Sequence, residues 1–237
     1  MTKILASVAF AALLFAGCKK YDLKFRDTAS KCRILMMTGD IFEQTVHREF
    51  FYNEAGNPIR IEYVETEGGT GTPNTFFEYN DKQQLIAYKG FSEHRLFYNA
   101  LGQVVIDSVI GNYAGNDSRF EDKYYYDLFG RIIKVVSKFY YDRDYPDLEP
   151  TTTVDTYRYD QRGNLIIPGV TYDTKTSLLR TNAIWMFLTR NYSLNNPVTA
   201  TTYNTKGLPL TLTNGIPFFE SSIIVQRIDY SCPEEAK

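Results

Sequence analysis

The stretch "YYDRDYPDLEP" crowds four acids, Asp142, Asp144, Asp147 and Glu149, that could offer hard oxygen ligands to a calcium ion. Their spacing lacks the EF-hand pattern and its turn glycine, so a solvated acidic loop is expected and no metal or other cofactor is assigned. His47 and His94 are the only histidines, and neither has Cys, His or Glu at metal-ligand spacing. They read as surface or half-buried side chains. The glycine-rich "EGGTGTP" lacks the Gly-Lys-Ser/Thr of a phosphate loop, and no Gly-x-Ser-x-Gly elbow marks a nucleophile. Acids are plentiful, but no pair is singled out for glycoside hydrolysis. A hydrolase whose Ser, His and Asp meet from distant positions is therefore the alternative, and a non-catalytic binding or scaffold module the expectation.

Binding chemistry is better supplied than catalytic chemistry. Aromatic residues make up 15% of the chain, with 19 Tyr and 16 Phe against one Trp. Tyr113, Tyr125, Tyr140, Tyr141 and Tyr145 are left over once the core is filled, and are candidates for an exposed face that stacks on a glycan or holds a peptide.

The elements that would position these groups follow from a recurring unit. "FFYNEAGNPIRI", "FFEYNDKQQLIAY", "LFYNALGQVVI", "YYYDLFGRIIKV", "TYRYDQRGNLI" and "TTYNTKGLPLTL" share Tyr, then Asn or Asp, two free positions, Gly, one more free position and an apolar run. Only the second lacks the glycine, with Gln83 in its place. Asn or Asp bonds its own backbone two residues on, the free positions take a type I turn, and Gly takes the positive φ of a G1 bulge. Each unit is thus a tight hairpin. Two residues before the repeat tyrosines stand Phe50, Phe77, Leu96, Tyr124, Tyr157 and Thr201, so period two puts that face towards the core.

Successive repeat tyrosines lie 19 to 44 residues apart, enough for a hairpin and a return connection. The expected fold is all-β, a long coiled antiparallel meander of hairpin repeats. Residues 65–75 and 111–118 read as exposed loops. Residues 177–192 hold Leu178, Trp185 and Leu188 at helical spacing, and "NNP" at 195–197 should end that helix.

The opening segment sets the compartment. Lys3, an apolar core from Ile4 to Phe15 and the small pair Ala16-Gly17 form an export signal over residues 1–17. "LLFAGC" resembles the lipobox of bacterial lipoproteins, which implies a lipid on Cys18 and a tether over 18–31 ahead of one domain at 32–237. Without Lys3 the chain carries 25 basic against 28 acidic side chains, a net of −3. That leaves no basic footprint for nucleic acid. With Cys18 lipidated, Cys32 and Cys232 remain as an even pair for a disulfide in an oxidising compartment, the alternative being two buried thiols.

The six Tyr-Asp/Asn-x-x-Gly units resemble the YD repeats of bacterial Rhs-type shells. Together with the lipobox, "NYSLNNP", "YNTKGLPL" and the closing "DYSC", they are similar to exported lipoproteins of the Bacteroidetes type. The resemblance covers nearly all of the mature chain. It implies an outer membrane lipoprotein, on the periplasmic or cell-surface face, anchored by lipid, with a glycan or an envelope protein as partner. Rhs-type proteins are far longer and end in a toxin or processing core that nothing here matches, so encapsulation is not implied.

Overall fold

The computed structural model describes residues 31–41, 44–65, 73–113, 116–141, 148–197, 200, 202–218 and 221–233. Cys18, Asp142, Asp144, Tyr145 and Asp147 lie outside them.

Ten strands follow one another in antiparallel succession: β1 (Arg33–Ile41), β2 (Gln44–Tyr52), β3 (Pro58–Glu65), β4 (Thr75–Tyr79), β5 (Leu85–Lys89), β6 (Ser92–Tyr98), β7 (Val104–Tyr113), β8 (Asn116–Tyr126), β9 (Ile132–Tyr140) and β10 (Thr151–Thr156). The chain then leaves the sheet. It forms β11 (Tyr172–Thr176), a 3-10 helix (Leu178–Thr181), α1 (Ala183–Leu188) and β12 (Asn195–Pro197), with β11 and β12 pairing only with each other. It returns as β13 (Leu212–Phe218) and β14 (Ser221–Ser231), and β14 pairs with β1. The result is an open 12-stranded meander ordered from β10 to β1, then β14 and β13.

The repeat turns form as their residues dictate. In the fourth, Asp127 Oδ1 accepts from the backbone N–H of Phe129 at 2.9 Å and of Arg131 at 3.0 Å. Gly130 follows at φ 76°. The register slips by one between Tyr125 and Tyr126, the bulge that such a turn requires. Gln83, standing where the others have Gly, is held at φ 60° all the same.

The face two residues before the repeat tyrosines is the core: Phe50, Phe77, Leu96 and Tyr124 are buried, and Tyr157 packs against them half-buried. The repeat tyrosines themselves are only half-buried, and four of the six send the hydroxyl to the preceding unit. Tyr79 donates to Pro58 O at 2.6 Å, Tyr98 to Leu85 O at 2.6 Å, and Tyr126 to Val104 O at 2.7 Å. Tyr159 reaches Ile132 O at 3.3 Å. Each acceptor lies six residues beyond the preceding repeat tyrosine, so one ring clamps the turn of the hairpin before it.

The structure narrows three expectations. The fifth and sixth units make the turn but not the strands, with only isolated bridges Tyr159↔Leu165 and Tyr203↔Pro209, because the chain there crosses the sheet instead of extending it. The helix is short and stops at Leu188, well before Asn195–Pro197, which is strand β12. The cause is a Schellman closure in which Arg190 N donates to Phe187 O and Asn191 N to Met186 O. Finally, β7 and β8 run far into 111–118 and leave only residues 114 and 115 between them.

The crossing segment forces the sheet to curve. Trp185 packs edge-on against Phe50 of β2 and Phe77 of β4, at ring separations of 5.7 and 6.1 Å, while Phe187 meets Tyr124 of β8 at 5.3 Å. In a flat sheet β2 and β8 would stand roughly 29 Å apart, whereas two helical residues advance only about 3 Å. The sheet therefore wraps its inner face around α1. Cys32 and Cys232 are joined in a disulfide, fixing the start of β1 to the end of β14.

Candidate functional site

Polar chemistry collects on the inner face beyond the C-terminal end of α1. The β6–β7 register pairs His94 with Val109 and sets Asp107 on the diagonal, where His94 Nδ1 donates to Asp107 Oδ2 at 2.9 Å. Tyr88 of β5 stacks on the His94 ring at 3.9 Å. Asp107 is 2% exposed, and its Oδ1 has no hydrogen-bond partner among the described residues. Directly across the β7–β8 ladder stands Asp122, so two carboxylates face each other on neighbouring strands. Burial, and then Asp107, push the Tyr88 phenol well up, which keeps it neutral.

Arg190 reconciles these charges with the helix. It holds the left-handed position after α1, φ 54°, where glycine is the usual residue. From there its guanidinium bonds Asp122 and lies 3.8 Å from Asp155 of β10. Burial pulls the Arg190 guanidinium down, but Tyr124 and Asp122 outweigh it, so the side chain stays charged. Such a network can hold protons in place, yet its central carboxylate is sealed from solvent.

At the other end of α1 lies a cleft of about 550 Å³. Lys31 and Arg33 line one side, Arg180 and Asn182 the other, with Gly56 and Asn57 of the first repeat turn and Pro233 completing the wall. Among the described residues no carboxylate lines it. Arg33 is placed by two contacts: its guanidinium lies over the Tyr52 ring at 5.6 Å, and a Cβ on Gly56 would come within 2.9 Å of its terminal nitrogen. Gly56 also sits at φ 87°, a conformation that favours glycine, whereas a Cβ there would only displace the flexible end of Arg33. Asn182 Nδ2 donates to Gly56 O at 3.2 Å, tying the helical segment to the repeat turn.

A second recess of about 250 Å³ opens on the neighbouring side of the same helix. Leu85, Leu96, Val104, Ile184 and Phe187 give it an apolar wall. Both recesses include Ala183 and Met186.

The tyrosines singled out in the sequence do not meet. Tyr125 and Tyr140 project from the outer face, near opposite ends of the β8–β9 ladder, each beside a cation: Lys134 lies 4.0 Å from the Tyr125 ring and Arg119 5.2 Å from the Tyr140 ring. Tyr141 stands with the inner-face residue Phe139 and bonds Thr151 Oγ1 at 2.6 Å. For Tyr113 the backbone position at the end of β7 is described, and it pairs with Asn116. Glu149 is exposed. Among the described residues no group of three His, Cys, Asp or Glu could hold a metal.

Sequence reasoning missed both ends of α1. The signal for the first was available: the turn at Asn99–Gly102 fixes the β6–β7 register and so brings His94 beside Asp107. Nothing marked Lys31, Arg33 and Arg180 as neighbours. No protein-family model matches the chain, and no curated protein matches it significantly.

Proposed function

We propose that this chain is a non-catalytic binding module of the cell envelope, exported, held on the outer membrane by a lipid on Cys18, and binding its ligand in the basic cleft beside α1. One observation carries the reading: Lys31, Arg33 and Arg180 surround a cleft with no carboxylate among its described lining residues, on a chain that is acidic overall. That local reversal of sign suits a negatively charged envelope component, a glycan or a protein. The walls are set in advance by the Asn182–Gly56 bond and by the disulfide beside Lys31 and Arg33, which lowers the cost of ordering a ligand. Lys31 lies thirteen positions after Cys18, a reach of roughly 45 Å when extended, so the cleft would stand close to the membrane.

Two measurements test the proposal. Cells fed a labelled fatty acid should label the wild type and not Cys18→Ser; equal labelling removes the anchor. The Cys18→Ser protein, screened against envelope glycans and envelope proteins, should bind saturably and lose that binding when Lys31 and Arg33 are both replaced by Gln. A screen without saturable binding removes the module.

The His94–Asp107–Asp122 cluster favours a second reading, a hydrolase whose site is assembled from distant positions. Turnover in a hydrolase panel that Asp107→Asn abolishes without unfolding the protein would establish it in place of the first.

A further inference from the structure

We infer that the ligand is an anionic amphiphile, with its charged head in the basic cleft and an acyl chain in the apolar recess beyond Ala183. The inference rests on the binding-module reading and narrows its ligand.

In the basic cleft the neutral polar side chains are committed to the fold. Asn57 Nδ2 donates to Gln83 Oε1 at 3.0 Å, Thr181 Oγ1 to Leu178 O at 2.8 Å, and Asn182 Oδ1 accepts from Ile184 N at 2.9 Å. Lys31 and Arg33 are exposed and make no ion pair with any described residue. What remains for a ligand there is positive charge, and guanidinium forks suit phosphate or carboxylate oxygens.

The second recess offers the opposite. Among the described residues no Asp, Glu, Lys or Arg lines it. The hydroxyls of Tyr98 and Tyr126 are spent on Leu85 O and Val104 O, and Gln103 Oε1 accepts from Asn99 Nδ2 at 3.1 Å. Apart from the Tyr192 hydroxyl and the Gln103 amide nitrogen, the walls therefore present hydrocarbon and ring faces. A sugar or a peptide backbone would lose most of its water there with few new partners, whereas an acyl chain loses nothing.

The two recesses meet at one place. Ala183 and Met186 line both, and Ala183 is exposed and carries only a methyl group. Positive charge and an apolar channel in succession match a molecule with a charged head and a single tail.

The test is calorimetric titration of the Cys18→Ser protein with monoacyl phosphatidylglycerol below its micelle concentration. Its choline counterpart removes the net negative charge, and glycerol phosphate removes the chain. One-to-one binding is expected, at least tenfold weaker for the choline lipid. Each methylene added should tighten binding roughly threefold to fourfold until the recess is full. Lys31→Gln with Arg33→Gln should erase the preference for the anionic head. Ala183→Phe, at an exposed position shared by the two recesses, should weaken the acyl ligand at least tenfold. Equal affinity for both lipids, indifference to chain length, or insensitivity to both variants would overturn the inference. If the lipids fail while the envelope screen still gives saturable binding that needs Lys31 and Arg33, the module stands with another ligand. If both fail, both readings fall.

Discussion

Tyr98 donates its hydroxyl to the carbonyl oxygen of Leu85 at 2.6 Å, and Leu85 lies six residues beyond Tyr79, the repeat tyrosine before it. The same relation links Tyr79 to Pro58 and Tyr126 to Val104. A short motif thus carries two functions. Its Asn or Asp and Gly make the turn, and its Tyr locks the turn of the unit before it.

Removing one lock should be measurable. Tyr126→Phe keeps the ring and leaves the Val104 carbonyl without its donor, a loss of about 1 kcal/mol. For a domain of this size that lowers Tm by roughly 2–4 °C. Tyr125→Phe, on the outer face beside Lys134, should change stability by less than about 0.5 kcal/mol. Urea titration of the two variants compares them directly, and equal effects would refute the lock.

The locks require protonated phenols, which gives a pH dependence. Burial raises the Tyr98 phenol to about 12, and burial raises Tyr52, Tyr79 and Tyr126 as well. Because the folded values lie above the ordinary value of about 10, this stability is fully present below pH 10. It is lost as the pH climbs towards 12 and beyond. Denaturant midpoints measured from pH 8 upward should be level at first and then fall, and the fall should begin later in a variant with Tyr79, Tyr98 and Tyr126 all replaced by Phe.

The turns and the buried face were legible in the sequence because both are local. Asp127 bonds within its own turn, and Phe50, Phe77, Leu96 and Tyr124 sit at a fixed offset from it. The motif does not encode what a strand pairs with, so the departure of the fifth and sixth units could not be read. Taking all of 111–118 as loop hid the β7–β8 register, and with it the opposition of Asp107 and Asp122. Arg190 and Asp122 are 68 residues apart, and Lys31 and Arg180 meet only because the crossing segment passes beneath the first repeat turn. These relations belong to tertiary structure.

The disulfide should dominate the ends of the fold. Cys32 and Cys232 are 200 residues apart, and closing a loop of that length is worth at most about 5 kcal/mol by chain entropy. Reduction, or Cys232→Ser, should lower the denaturant midpoint sharply. Non-reducing peptide mapping of protein from an oxidising compartment should recover the two cysteines in one linked fragment; finding both thiols free would remove the prediction.

Two positions combine positive φ with a side chain, and they should respond oppositely to glycine. At Gln83, φ 60°, Gly relieves left-handed strain of about 1 kcal/mol and gives up exposed amide bonds from Asn57 and Asn53. Gln83→Gly should therefore be neutral or stabilising by up to about 1 kcal/mol. At Arg190, φ 54°, the same relief is available, but Gly removes the charge that holds Asp122. Asp122 is largely buried and faces Asp107, so its carboxylate would be left beside another without a cation. Arg190→Gly should cost about 1–3 kcal/mol in spite of the easier backbone. Asp122→Asn should recover part of that loss in the double variant, because it removes the charge that Arg190 compensates. Chemical denaturation of the four proteins decides the matter: a stabilising Arg190→Gly would mean that the guanidinium contributes nothing to the fold.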